Sequence, residues 1–234
     1  MSRRPHRPAV ADECGFTLVE LLVTMIAGLV ITLATLTMLD ISVQESAKVA
    51  DRVEAGQRGR VAMEQLIQEL HSSCVASSVA PVLAGSTSSN IQFLSQFGSA
   101  AVLTPNLHAV TYSSGQLTDT AYAATGGSAP TWTFSATPAY SRTVLTNVSQ
   151  ATVNGSVQPV FQYYKYVNST LSSALPTPLS ATDAADTVQV TVNFQVGPLD
   201  SSTAADRTIQ TTGTAVLRYV PVDPTPGATN LPCQ

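Results

Sequence analysis

The chain has 234 residues, 44% hydrophobic and 11% charged, and its 11 Lys plus Arg against 15 Asp plus Glu set a formal net charge of −4. That acidic balance argues against a protein that grips nucleic-acid backbone, because such affinity comes from Lys and Arg displacing counterions. Three cysteines are too few for a disulfide-dense scaffold or a Cys-rich zinc domain, and 25 Ser with 29 Thr suit an exposed, uncharged β surface.

The charges are unevenly placed. Residues 1–70 hold seven of the basic and nine of the acidic side chains, yet Phe16 to Leu39 carries one charge, Glu20. As a helix these 24 residues span about 36 Å, enough to cross a hydrocarbon core of about 30 Å with some tilt. The segment 16–39 is therefore expected to be a transmembrane helix. Arg3, Arg4 and Arg7 precede it, so the positive-inside rule puts the N-terminus in the cytoplasm and exports the chain beyond Asp40. A secretory signal would have a shorter apolar stretch, and a lipoprotein signal would place that stretch before Cys14 rather than after it. Glu20 is the oddity, because a carboxylate in an apolar helix costs several kcal/mol unless neutralised or paired. Its expected partner is an amine; the alternative is a side chain one turn from the cytoplasmic end that snorkels to the headgroups.

From Asp40 to about Ser73 the helix is expected to continue as an amphipathic, charged segment. Val49 and Val53 are spaced i, i+4, and Met63, Leu66, Ile67 and Leu70 repeat at the spacing of one buried face. Glu54 with Arg58 and Arg60 with Glu64 form i, i+4 pairs, while Gly56 and Gly59 weaken the middle and favour a bend. From Val79 the texture changes to β-branched and polar alternation broken by Gly, Pro, Ser and Asn. Val188–Val196 is the clearest strand. Noisier ones are Ile91–Phe97, His108–Ser113 turning at Ser114-Gly115 into Gln116–Tyr122, Thr131–Ser135, Thr143–Val153, Val160–Val167 and Ile209–Val220. The expectation is an α+β fold: a leader at 1–15, the helix at 16–39 and 40–75, and an antiparallel sheet domain at 76–220 covering one helix face. Surface loops are expected at 86–90, 126–130 and 169–186, and a proline-rich tail at 221–234.

The string Gly15-Phe16-Thr17-Leu18-Val19-Glu20-Leu21-Leu22-Val23 resembles the cleavage and methylation signal of type IV prepilins and type II secretion pseudopilins. The resemblance implies a pilin-like fold and a prepilin peptidase that cuts between Gly15 and Phe16 and methylates the new N-terminal Phe16. The mature chain would then have 219 residues (234 less 15). It implies that Glu20 neutralises the N-terminal amine of a neighbouring subunit and so sets register in the filament. It also implies an inner-membrane protein that leaves the membrane for a pilus or pseudopilus through an assembly platform, with other pilins or pseudopilins as partners. Pro159 to Tyr164, Thr212 to Arg218 and Arg60 to Leu70 resemble, more loosely, J-type minor pseudopilins and PilW-like minor pilins. In that family the leader is basic up to the cleavage point, whereas Asp12, Glu13 and Cys14 stand directly before Gly15 here. The rival expectation is an unprocessed, membrane-anchored adhesin or binding module.

Other residues carry weaker signals. Cys74 and Cys233 would both be exported, so a disulfide between them and two free thiols both fit. Asp183, Asp186, Asp200 and Asp206 offer oxygen ligands, but their spacing does not supply the six to eight that calcium needs, so they read as solvated loop acids. His71 and His108 lack any catalytic or metal-binding string and read as surface or helix-end residues. Asn147, Asn154 and Asn168 head Asn-x-Ser/Thr triplets that arise by chance in so Ser/Thr-rich a chain. Neither catalysis, nor a metal, nor a cofactor is expected.

Overall fold

In the computed structural model, which describes residues 15, 17–74, 79–95, 104–128, 131–199 and 207–217, helix α1 runs unbroken from Leu18 to His71. Thr17 caps it. Its Oγ1 accepts from the Glu20 amide at 3.3 Å, the first half of a Thr-x-x-Glu capping box. The chain divides into two units, Met1–Ala47 and Lys48–Gln234, and α1 contributes to both.

In the first unit the large apolar side chains from Leu18 to Val43 all face outward. The hydroxyls of Thr24, Thr32, Thr35 and Thr37 donate to the carbonyls of Leu21, Gly28, Thr32 and Ala34 at 2.9, 2.7, 2.8 and 2.8 Å. Polar groups satisfied inside their own helix need no water, which is the condition for an apolar surrounding. This is a helix long and apolar enough to cross a membrane, near the N-terminus, and compatible with single-pass anchoring.

The second unit is built on the later turns of α1, whose buried residues are Ala55, Gly59, Ala62, Met63, Leu66 and Leu70. Val49 and Val53 are exposed, so the buried stripe starts later than their spacing suggests. The chain continues through β1 (Asn90–Ser95), β2 (Asn106–Ser113), β3 (Gln116–Tyr122), β4 (Ala124–Ser128), β5 (Thr131–Phe134), β6 (Tyr140–Thr146) and β7 (Val148–Ser149). It then forms β8 (Thr152–Val153), β9 (Ser156–Val157), β10 (Phe161–Tyr164), β11 (Tyr166–Val167), β12 (Thr170–Leu171), α2 (Ala181–Asp186), β13 (Gln189–Val196) and β14 (Ile209–Val216).

The fold is α+β with antiparallel pairing, but the expected single sheet is two. One has the order β1-β2-β3-β6; the other is β10-β13-β14, with β7 also pairing β13. The hairpins β4–β5, β8–β9 and β11–β12 stand as separate two-stranded ribbons. The expected strand Thr143–Val153 is split because Asn147, at φ 56°, turns the backbone between β6 and β7. The expected loop 169–186 holds β12 and the short helix α2, capped by Ser180, whose Oγ accepts from Asp183 N at 3.1 Å. Nor are residues 86–90 all surface: Ser86 is fully buried.

One core joins Met63, Leu66 and Leu70 of α1 to Phe93, Val110 and Leu117 of the first sheet and Phe161, Tyr163, Val192 and Phe194 of the second. Full burial of each such side chain contributes about 1.5–3 kcal/mol. A smaller cluster of Cys74, Val79 and Leu94, with Trp132 packed on it, covers the opposite face of the first sheet. Gly59 lets β13 and β14 approach α1 closely: a Cβ there would meet Thr211 Oγ1 and Val196 Cγ2, each at 3.0 Å. The helix glycines thus serve packing, and α1 continues as helix through both.

Candidate functional site

Of the N-terminal signal, Gly15 and Glu20 are described, while Phe16 and the leader residues before Gly15 lie outside the described residues. Glu20 is exposed, in the first turn of α1, where the positive end of the helix dipole favours a carboxylate. Thr17 is the residue that sequence reasoning missed. The signal was there in Thr17-Leu18-Val19-Glu20, the four-residue spacing of a capping box.

The second unit holds a buried polar cluster that sequence spacing did not reveal. Strand pairing sets His108 of β2 opposite Phe93 of β1, and Asp119 of β3 opposite Arg142 of β6, on the face toward the end of α1. His108 Nδ1 and Asp119 Oδ1 are 3.1 Å apart, with side chains 3% and 0% exposed. The Arg142 Nε–H donates to Asp119 Oδ2 at 3.1 Å, and its Nη2 donates to Glu69 Oε1 from α1. The Tyr140 hydroxyl donates to Asp119 Oδ2 at 3.4 Å; burial first, and then the Asp119 charge, push that phenol's pKa up. Phe93 stacks on the His108 ring at 5.4 Å, and Tyr140 meets it edge-on at 6.1 Å. His108 is therefore a core residue and not the surface histidine expected: the pleat turns every second residue of β2 inward, and Asp119 supplies the polar partner that burial requires.

Three oxygens at this end of α1, Glu69 Oε2, Ser73 Oγ and Ser95 Oγ, are buried without a hydrogen-bond partner. A groove of about 510 Å³ lies elsewhere, between α1 (Gln57, Val61, Gln65) and Thr143–Thr146 of β6. Arg58 lines it too, but in place of the expected pair with Glu54 its guanidinium donates to Thr146 O at 3.0 Å and Gly197 O at 3.3 Å. The Arg60–Glu64 pair forms as expected, at 2.8 Å.

Two of the four acids considered for calcium, Asp183 and Asp186, are engaged by a lysine. Lys165 Nζ lies 2.8 Å from Asp183 Oδ1 and 3.7 Å from Asp186 Oδ2, an ammonium where a cation would have to sit. The hydrogen bond from Lys165 holds Asp183 below the usual carboxylate range. Asp200 and Asp206 lie outside the described residues. Cys74 is fully buried and disulfide-bonded, while Cys233 lies outside the described residues. Of the triplet asparagines, Asn147 donates to Pro198 O at 2.6 Å, and Asn154 and Asn168 occupy hairpin turns at φ 51°. No family model, curated protein or solved structure matches the chain.

Proposed function

We propose that the chain is a minor pilin or pseudopilin, a non-enzymatic subunit that is processed by a prepilin peptidase and assembles through its N-terminal helix. The observation that carries this reading is the Gly15 to Val23 string leading directly into α1, whose apolar side chains are outward up to Val43 and whose first turn holds the acid Glu20. An outward apolar surface of that length suits first a bilayer and then the packed helices of a filament. A β-rich second unit with a groove beside the edge strand β6 suits contacts with other subunits or cargo. On this reading the protein sits in the inner membrane with its N-terminus cytoplasmic and its second unit exported.

The rival, an unprocessed membrane-anchored binding module, draws on the acids Asp12 and Glu13 that shortly precede Gly15. N-terminal sequencing and intact mass of the membrane-extracted protein, from cells carrying a prepilin peptidase, separate them. A chain starting at N-methylated Phe16 supports the filament subunit. A chain retaining Met1 to Gly15 overturns it in favour of the anchored module.

A further inference from the structure

We propose that Glu69, His108 and Asp119 form a divalent-cation site of the zinc type in the second unit, with Arg142 as its outer brace. One donor atom from each of the three residues lies within 4.8 Å of the other two. Tetrahedral zinc with bonds of about 2.0–2.1 Å keeps its ligands about 3.3 Å apart, so the donors must close by about 1.5 Å or less, within reach of side-chain rotation. Two carboxylates and one imidazole are a donor set that zinc accepts, with a fourth position left for water.

Three further observations point to a missing partner. First, one guanidinium and one imidazole face two carboxylates in a place where Asp119 is 0% and His108 3% exposed, a buried cluster of ionisable groups of the kind that recruits a cation. Second, Arg142 occupies Glu69 Oε1 and Asp119 Oδ2, while Glu69 Oε2 is buried with no hydrogen-bond partner among the described residues. An arginine holding the rear oxygens of two ligating carboxylates is the outer support that metal sites use to fix ligand orientation. Third, the hydroxyls of Ser73 and Ser95, 4% and 0% exposed as residues, are also unpartnered. These two serines face each other across an antiparallel bridge, so their side chains share a face. Ser95 lies two residues along β1 from Phe93, which stacks on His108, and Ser73 follows the end of α1 at His71, four residues beyond Glu69 in the chain. In the register of the first sheet Ser95 lies beyond the His108 row, on the side away from Asp119, so these hydroxyls border the His108 side of the cluster and are not among its donors. Bound there, the cation would tie the end of α1 to β2 and β3.

The test uses the full-length, detergent-solubilised protein, stripped with a chelator and titrated with Zn²⁺ by calorimetry, with unfolding followed by heating. The expected result is one saturable zinc per chain, a higher unfolding midpoint with zinc, and affinity reduced in Glu69→Gln by more than the about 10- to 100-fold that loss of an outer support costs. The exposed His71→Ala variant should bind as the wild type does. Should Glu69→Gln not fold, zinc-edge X-ray absorption of the wild type decides: one imidazole with oxygen neighbours supports the site, and two or more imidazoles overturn it. Absence of saturable binding, leaving water alone among the buried oxygens, overturns the proposal, as does binding lost in His71→Ala.

Discussion

Arg142 touches two carboxylates from different elements, Glu69 at the end of α1 and Asp119 in β3, although its own side chain is 44% exposed. Replacing it with Ala strands both acids in a buried setting, and we expect Arg142→Ala to lower stability by about 2–3 kcal/mol in urea unfolding, less than for a fully buried pair because water reaches the guanidinium. At Glu20 two roles predict different outcomes. If Glu20 pairs with the amine of a neighbouring subunit, Glu20→Gln and Glu20→Ala both insert into the membrane and both fail to join filaments, read by co-purification with other subunits. If Glu20 has only a local role in the first turn of α1, Glu20→Gln assembles normally, because the amide can still accept there and the Thr17 cap uses only the backbone of residue 20. The capping role was legible four residues at a time. The partners of Arg142 were not, since they lie 73 and 23 residues away along the chain, and it takes the packing of α1 on the sheet to bring Glu69 and strand register to bring Asp119.

Among the elements, α1 and β13 were the most legible, each for a periodic reason. In β13, Val190, Val192, Phe194 and Val196 are buried on the period of two that the sequence displays. The turn Ser114-Gly115 between β2 and β3 is readable directly, with φ 50° and 74° as a two-residue hairpin demands. The same signal in Asn154-Gly155, φ 51° and 78°, is hidden because its strands β8 and β9 are two residues long and carry no alternation. Glycines inside α1 were the element-scale misreading. Gly59 weakens the isolated helix, yet Thr211 and Val196 pack where a Cβ would be. We expect Gly59→Val to cost about 1–3 kcal/mol by overpacking, measured by thermal unfolding of the solubilised protein.

For the whole molecule, groups in the second unit set two pH limits. Asp183 has a folded pKa below its unfolded one, so the Lys165 bridge adds stability above about pH 4, lost as pH falls through the folded pKa. Tyr163, the largest fully buried side chain, donates to Thr87 O at 2.9 Å, and burial pushes its phenol far up. That stability is present below the unfolded value of about 10 and declines as pH rises above it, since only the unfolded state can ionise. Thermal midpoints measured from about pH 3 to 11 should therefore fall at both ends, with Tyr163→Phe flattening the alkaline fall. The disulfide at Cys74 is the other molecular constraint. Non-reducing peptide mapping should recover Cys74 joined to Cys233, and Cys74→Ser should lower stability by about 2–5 kcal/mol.

By itself, the sequence determined the features that repeat within a few residues: an apolar stretch of membrane length headed by Gly15 and Glu20, an amphipathic continuation, and strands that alternate. Their physical cause is local, because helix and strand periods appear in any window of about ten residues. Only the tertiary structure decided that the strands form two sheets, that His108 belongs to the core, and that Glu69, His108, Asp119 and Arg142 meet. Pairing register and the seating of α1 on the sheet set all three, and both depend on which element lies beside which, a property of the packed whole.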